Sequence, residues 1–133
     1  MTTSIAPVTI RRLKVHADAR GCVFEPLEPA LLAGWQNVHT VITEPGAIRG
    51  NHRHLRGTEV TAILGPALVR YRDGELIEEI HVPAGEAWRF EFPPGTAHAF
   101  KNTGATPLLT VSFNSVLHDA AQPDVEREEL IVA

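Results

Sequence analysis

The sequence predicts an all-β domain folded as a jelly-roll barrel, a double-stranded β-helix made of two facing sheets. Three observations carry that expectation. Proline and glycine occur ten times each, spread along the chain rather than gathered into a linker, and they cut it into short segments. Those segments are rich in β-branched and aromatic residues. No window has convincing helical periodicity, the acidic stretch Val125 to Ile131 being the one candidate helix.

The elements follow in order. Val8 to Val15 reads as a strand, ended by the turn Asp18-Ala-Arg-Gly21. Cys22 to Leu27 is a second, short strand, followed by a proline-rich connection through Trp35. Gln36 to Thr43 alternates polar and apolar residues and closes at Glu44-Pro45-Gly46. Ile48 to His54 follows, with a break at Arg56-Gly57. Thr58 to Leu64 and Ala67 to Arg72 are apolar and separated by Gly65-Pro66. Asp73-Gly74 is the strongest hairpin signal, because glycine accepts the positive φ of tight hairpin turns. Glu75 to Val82 runs back from it. Trp88 to Phe92, Ala97 to Lys101 and Pro107 to Phe113, separated by Pro93-Pro94-Gly95 and Asn102-Thr103-Gly104, complete roughly ten strands.

At 133 residues, the length predicts one domain over residues 1–133. The formal charge of −4 argues against a broad nucleic-acid-binding face, though one small anion site remains compatible. The longest nearly apolar run, Ala62 to Val69, is too short to span a bilayer, so no membrane partner is expected. The first residues lack a basic head followed by an apolar stretch, so no secretory signal is read there. The lone cysteine, Cys22, has no partner within the chain, which suits a reducing cytoplasmic setting.

The histidines carry the chemistry. His52 and His54 are two apart on a predicted strand, so both side chains lie on one face, about 6.6 Å apart along the chain. Glu59 follows just past the Arg56-Gly57 turn, and His98 arrives from a distant segment after Gly95. Any one of these alone would be an ordinary surface or loop residue. Together, His52, His54, Glu59 and His98 make a ligand set for a divalent first-row metal, with Zn, Ni, Mn and Fe all compatible.

That arrangement resembles the cupin superfamily. Gly46, His52, His54 and Glu59 fit its first motif, with Gly65 one residue early; Pro93, Gly95, His98 and Asn102 fit its second, with Gly85 farther upstream than usual. Asp18-Ala-Arg-Gly21 followed by Phe24-Glu25 resembles the opening of nucleotide-sugar epimerases and ketoisomerases. Pro45 through His54, Phe113-Asn114 and Pro123-Asp124 resemble the C-terminal cupin of bifunctional capsular-polysaccharide enzymes. The resemblance implies a cupin barrel that epimerises or isomerises a 4-keto-6-deoxy nucleotide sugar through an enolate, in surface polysaccharide or deoxysugar biosynthesis. It also implies two uses for the histidines, because some nucleotide-sugar cupins employ barrel histidines directly as base and acid, without metal.

Epimerisation beside a ketone needs a base for the α-proton, a group to hold the enolate oxygen and an acid on the other face. His52, His54, His39 and Tyr71 are the catalytic candidates. His39 shares the inward register of Asn37 and Val41, whereas Tyr71 reads more readily as a buried core aromatic. Arg20, Arg49, Arg70, Arg72 and Lys101, with Arg53, are candidates for the substrate diphosphate. Arg20 leads them through its place in the turn motif; a solvated face paired with Glu78 or Glu91 competes for the strand arginines. Trp35 and Trp88 are of the right type to stack on a nucleobase, although core packing suits them better. A homodimer is expected, because Val8 to Val15 has no obvious local partner strand. Two rival functions share the metal set: a cupin dioxygenase using Fe(II) or Ni(II), and a non-catalytic sugar- or metal-binding module.

Overall fold

Alternating apolar residues give strands with one face to bury, and in the computed structural model they do so as two facing five-stranded sheets. The structure describes residues 7–133; the first six residues, part of the stretch read for a secretory signal, lie outside it. The strands are β1 (Thr9–Leu13), β2 (His16–Asp18), β3 (Gly21–Val23), β4 (Asn37–Thr43), β5 (Ile48–His54), β6 (Glu59–Leu64), β7 (Ala67–Asp73), β8 (Leu76–Val82), β9 (Ala87–Phe92), β10 (His98–Asn102), β11 (Leu108–Asn114) and β12 (Val125–Arg127). A single 3-10 turn at Pro29–Leu31 is the only helical element among the described residues.

One sheet has the order β1-β9-β6-β11-β4 and the other β12-β5-β10-β7-β8; β2 and β3 form a separate hairpin. All pairings are antiparallel. This is the jelly-roll barrel expected from the sequence. Ile63, Val69, Phe90, Phe92, Phe100 and Leu108 fill the space between the sheets. Two thinner apolar layers lie outside. Leu13, Ala62 and Ala87 on the outer face of the first sheet pack with Val15 and Phe24. Leu68, Ala97 and Ala99 on the outer face of the second are covered by Leu130 and Ile131 of the C-terminal tail.

Three expectations need correction. Val125 to Ile131 is not a helix: β12 pairs with β5, and the residues after it run on across the second sheet. The cause is that other groups satisfy its backbone, with Leu130 N and Ile131 N donating to Asn51 Oδ1 and Arg70 donating to Leu130 O. The first predicted strand breaks after Leu13, and β1 pairs with β9 of the same chain, from Thr9 opposite Glu91 to Leu13 opposite Ala87. The reason for expecting an exchanged N-terminal strand therefore disappears. The second predicted strand shrinks to Gly21–Val23, which pairs only with β2.

Candidate functional site

β5 places the histidines. His52 pairs with His98 of β10 across the second sheet, and both rings point between the sheets. The ring centroids lie 5.1 Å apart for His52 and His54, 4.9 Å for His52 and His98, and 5.8 Å for His54 and His98. Glu59 opens β6 in the opposite sheet and reaches across to them, its Oε2 lying 2.5 Å from His98 Nε2 and its Oε1 3.7 Å from His54 Nε2. One potential ligand atom from each of the four residues lies within 4.8 Å of the others. Two sheets thus converge on one point.

The groups around the cluster hold it in place. His98 is fully buried, stacks on Phe92 at 4.1 Å and donates from Nδ1 to Thr96 O at 3.0 Å, which leaves Nε2 facing Glu59. His54 Nδ1 lies 3.4 Å from Asp124 Oδ2. Asp124 is itself buried and accepts from Arg56 N and Gly57 N, so one carboxylate fixes both the turn after β5 and the ring of His54. Sequence reasoning missed that role. Its only trace was the Pro123-Asp124 pair, which sits some seventy positions from the turn it holds.

Electrostatics divide the histidines. Burial, reinforced by the neighbouring His98, pushes His52 down to about 4, so its ring is neutral near pH 7. Burial also pulls His54 down, but the carboxylates of Glu59 and Asp124 outweigh it and raise His54 above its ordinary value. Burial would raise Glu59; the neighbouring rings of His54 and His98 win and hold its carboxyl well below the usual carboxylate range. The Nε2 atoms of His52 and His54 are buried without a hydrogen-bond partner. Two unpartnered imidazole nitrogens beside a buried carboxylate fit a divalent metal, and the nitrogen-rich donor set favours a transition ion over calcium or magnesium.

A cavity of about 290 Å³ opens beside the cluster, lined by His39, Arg49, His52, Glu59, Phe100 and Thr110 among others. His39 faces inward from β4 as its register predicts. Its Nδ1 lies 3.0 Å from Asn37 Oδ1 and 3.3 Å from Asn114 Nδ2, an acceptor and a donor at the same nitrogen. A larger groove of about 580 Å³, lined by Arg11, Trp35, Arg89 and Glu91, contains none of the histidines. Of the two histidines with an unpartnered Nε2, His52 lines the smaller cavity.

Of the five proposed substrate-binding cations, only Arg49 lines that cavity. Arg70 and Arg72 alternate with the inward Val69 and Tyr71, so they lie on the outer face, paired with Glu79 and Glu128. Lys101 alternates with Phe100 and pairs in register with Ile48 and Leu68 of the outer layer. Arg53 also faces outward, toward Glu126 and Glu128. Arg20 is exposed in the β2–β3 turn and is bound to Asp18, which raises the guanidinium and lowers the carboxyl. For Arg53, Arg70, Arg72 and Lys101 one cause suffices, strand alternation, which puts them opposite the core-facing residues; Arg20 is held in its turn by Asp18. Tyr71 is opposite His98 but sits in the apolar core, 6.3 Å from Phe92, where burial and then Glu78 push its hydroxyl up. It does not line the cavity. Trp35 packs edge-on to Phe113, and Trp88 stacks on Phe90; neither reaches the cavity.

Known proteins share this architecture. The chain is 25% identical to the probable low-salt glycan biosynthesis epimerase Agl13 of Haloferax volcanii, over 93% of this chain and 87% of that one. It superposes on the capsular polysaccharide assembling protein CapF of Staphylococcus aureus with a TM-score of 0.67 and 26% identity, over 89% of this chain and 34% of that chain. It therefore spans about a third of that protein's length. A dTDP sugar isomerase from Desulfovibrio desulfuricans shares the fold at a TM-score of 0.74 and 18% identity, over 92% of this chain and 84% of that one. No helix among the described residues is long and apolar enough to cross a membrane. The family model for the polysaccharide biosynthesis C-terminal domain matches residues 16–126, most of the chain, and this protein belongs to that family.

Proposed function

We propose that this protein epimerises or isomerises a 4-keto-6-deoxy nucleotide sugar through an enolate, in surface polysaccharide or deoxysugar biosynthesis. One observation carries the reading: a cluster of half-buried His52 and His54 with buried Glu59 and His98 opens onto a cavity that also holds His39 and Arg49. The epimerase name of the Haloferax relative and the capsular role in the name of CapF support the substrate class. The four clustered residues would hold one divalent transition metal, which supplies Lewis-acid polarisation of a sugar ketone when bound.

The remaining steps belong to the chain. His39 takes the α-proton of the sugar at Nε2 and passes it to solvent; isomerisation then protonates the enolate at the neighbouring carbon, and epimerisation takes its new proton from water on the opposite face. Asn37 Oδ1 accepts from Nδ1–H, a bond that leaves the Nε2 lone pair free before the transfer and persists in the imidazolium after it. Arg49 meets the diphosphate at the cavity rim with a charge-assisted pair. The inward apolar wall of Val41 and Phe100 narrows the water-accessible part of the site.

Any route through an enolate exchanges the α-proton with solvent. The protein should therefore wash deuterium from D₂O into 4-keto-6-deoxy nucleotide sugars, measured by NMR. His52→Ala or His54→Ala should slow this by on the order of 10²- to 10⁴-fold. A panel of such sugars that gains no label, while another substrate drives O₂ consumption, would replace this reading with a dioxygenase; neither activity would leave a binding module.

Elemental analysis should find about one divalent ion per chain in wild type, and far less in His98→Ala. Equal, near-zero metal in both would assign His52 and His54 to direct acid and base work. The protein acts as a homodimer in this reading. The supporting observation is β4, an edge strand whose residues, like those of neighbouring β11, include no Asp, Glu, Lys or Arg, with Val38, Ile42 and Leu109 exposed. Light scattering at micromolar concentration that finds only a 14.5 kDa species would exclude it.

A further inference from the structure

β5 contains one residue too many. In the pairing with β10, His98 lies opposite His52 and Ala99 lies opposite Gly50, so Asn51 is the extra, unpaired residue of a bulge. The backbone shows it, with φ of 87° at Gly50 and 56° at Asn51, the one described non-glycine residue with positive φ. Gly50 has no alternative here, because a Cβ would lie 2.8 Å from His98 O. The bulge decides which side chains meet. In a regular strand, Arg49 would share a face with positions 51 and 53, and His52 and His54 would point the other way. The added residue reverses the parity, so Arg49 and His52 both line the cavity.

Asn51 is held from the other side of the sheet. It is buried, and its Oδ1 accepts from Leu130 N and Ile131 N while its Nδ2 donates to Ile131 O. Its own carbonyl accepts from Glu128 N. Leu130 and Ile131 are anchored in turn against Leu68, Ala97 and Ala99. The left-handed backbone at Asn51 and the C-terminal tail therefore fix each other, and the Asn51 side chain bonds to Leu130 and Ile131 alone among the described residues.

We propose that Asn51 is a positioning residue: clamped by the C-terminal tail, it maintains the bulge that turns Arg49 and His52 into the same cavity. This deepens the function proposed above and rests on it for the kinetic readout alone. Asn51→Gly keeps the positive φ and loses the clamp, Asn51→Ala loses both, and Asn51→Asp keeps the acceptor for the two tail amides. Leu13→Ala loosens the outer layer of the opposite sheet, away from the tail and the bulge, and serves as the stability control.

Two measurements on the full-length protein decide the matter. The ¹⁵N resonances of the His52 ring report its placement without any substrate, and D₂O wash-in gives kcat and KM. The expectation for Asn51→Gly is a displaced His52 ring resonance and a kcat lowered on the order of 10- to 100-fold, the scale of an ångström-sized misplacement. Asn51→Asp should restore most of both, and Leu13→Ala should lower stability while leaving the ring resonance in place. An unmoved His52 resonance in Asn51→Gly, or an equal shift in Leu13→Ala, overturns the proposal. If wild type labels no sugar, the functional reading has failed, and the ring resonances still decide the role of Asn51. Should Asn51→Ala fail to fold, Asn51→Gly and Asn51→Asp suffice.

Discussion

The two faces of the second sheet carry the same kind of residue and treat it in opposite ways. On the outer face, Arg53, Arg70 and Arg72 each meet a carboxylate, and the acidic partners Glu126 and Glu128 come from the C-terminal tail. On the inner face, His52 and His54 keep unpartnered nitrogens in a buried position next to Glu59. A buried polar atom without a partner costs about 1–3 kcal/mol. The outer charges are tied to carboxylates, although Arg53 Nε is also left without a partner; the open nitrogens of the inner face are the ones the proposed function uses.

That contrast is sharpest in the cost of removing one acid from each side. Asp124 supports the inner face, where it is buried, fixes the Arg56-Gly57 turn and orients His54. Asp124→Ala strands two backbone N–H groups and the His54 ring, so unfolding in denaturant should show a loss of about 3–5 kcal/mol. Arg72→Ala removes an outer pair that is partly open to water and should cost less than about 1 kcal/mol. D₂O wash-in should fall in the first variant and stay unchanged in the second. Equal losses of stability and activity would erase the distinction between the faces.

The distinction was partly written in the sequence. Proline and glycine punctuation marked most strands to within a residue or two, because those residues end strands for local reasons. The metal-type set was legible for a similar reason: His52 and His54 share a face by period, and Glu59 follows one turn later. The sidedness of the cations was available but misread. Val69 and Tyr71 are apolar and alternate with Arg70 and Arg72, so burying the first pair sends the second outward. Arg49 escapes that rule only through the bulge at Asn51, and one sequence has no local signal for a bulge that a tail some eighty residues away secures. The same distance hid Asp124. The tail itself looked helical from its acidic composition, yet Asn51 and Arg70 satisfy its backbone in an extended form.

The smaller test separates the two open nitrogens of the inner face by their response to acid. His52 is held down to about 4 from an ordinary 6.5, so its contribution to stability is complete above pH 6.5 and is lost as pH falls toward 4. That shift, discounted for the part of the ring that water reaches, amounts to about 2 kcal/mol. His54 is shifted upward, so its contribution is complete below 6.5 and is lost as pH rises through its folded value. Denaturant unfolding of chelator-treated protein from pH 7 to pH 4 should therefore respond in opposite directions to the two substitutions. His52→Gln should flatten the acid limb by about 2 kcal/mol, and His54→Gln should steepen it. If both flatten it, the Glu59 and Asp124 carboxylates do not favour the charged form of His54, and the assignment of different environments to two rings 5.1 Å apart is wrong.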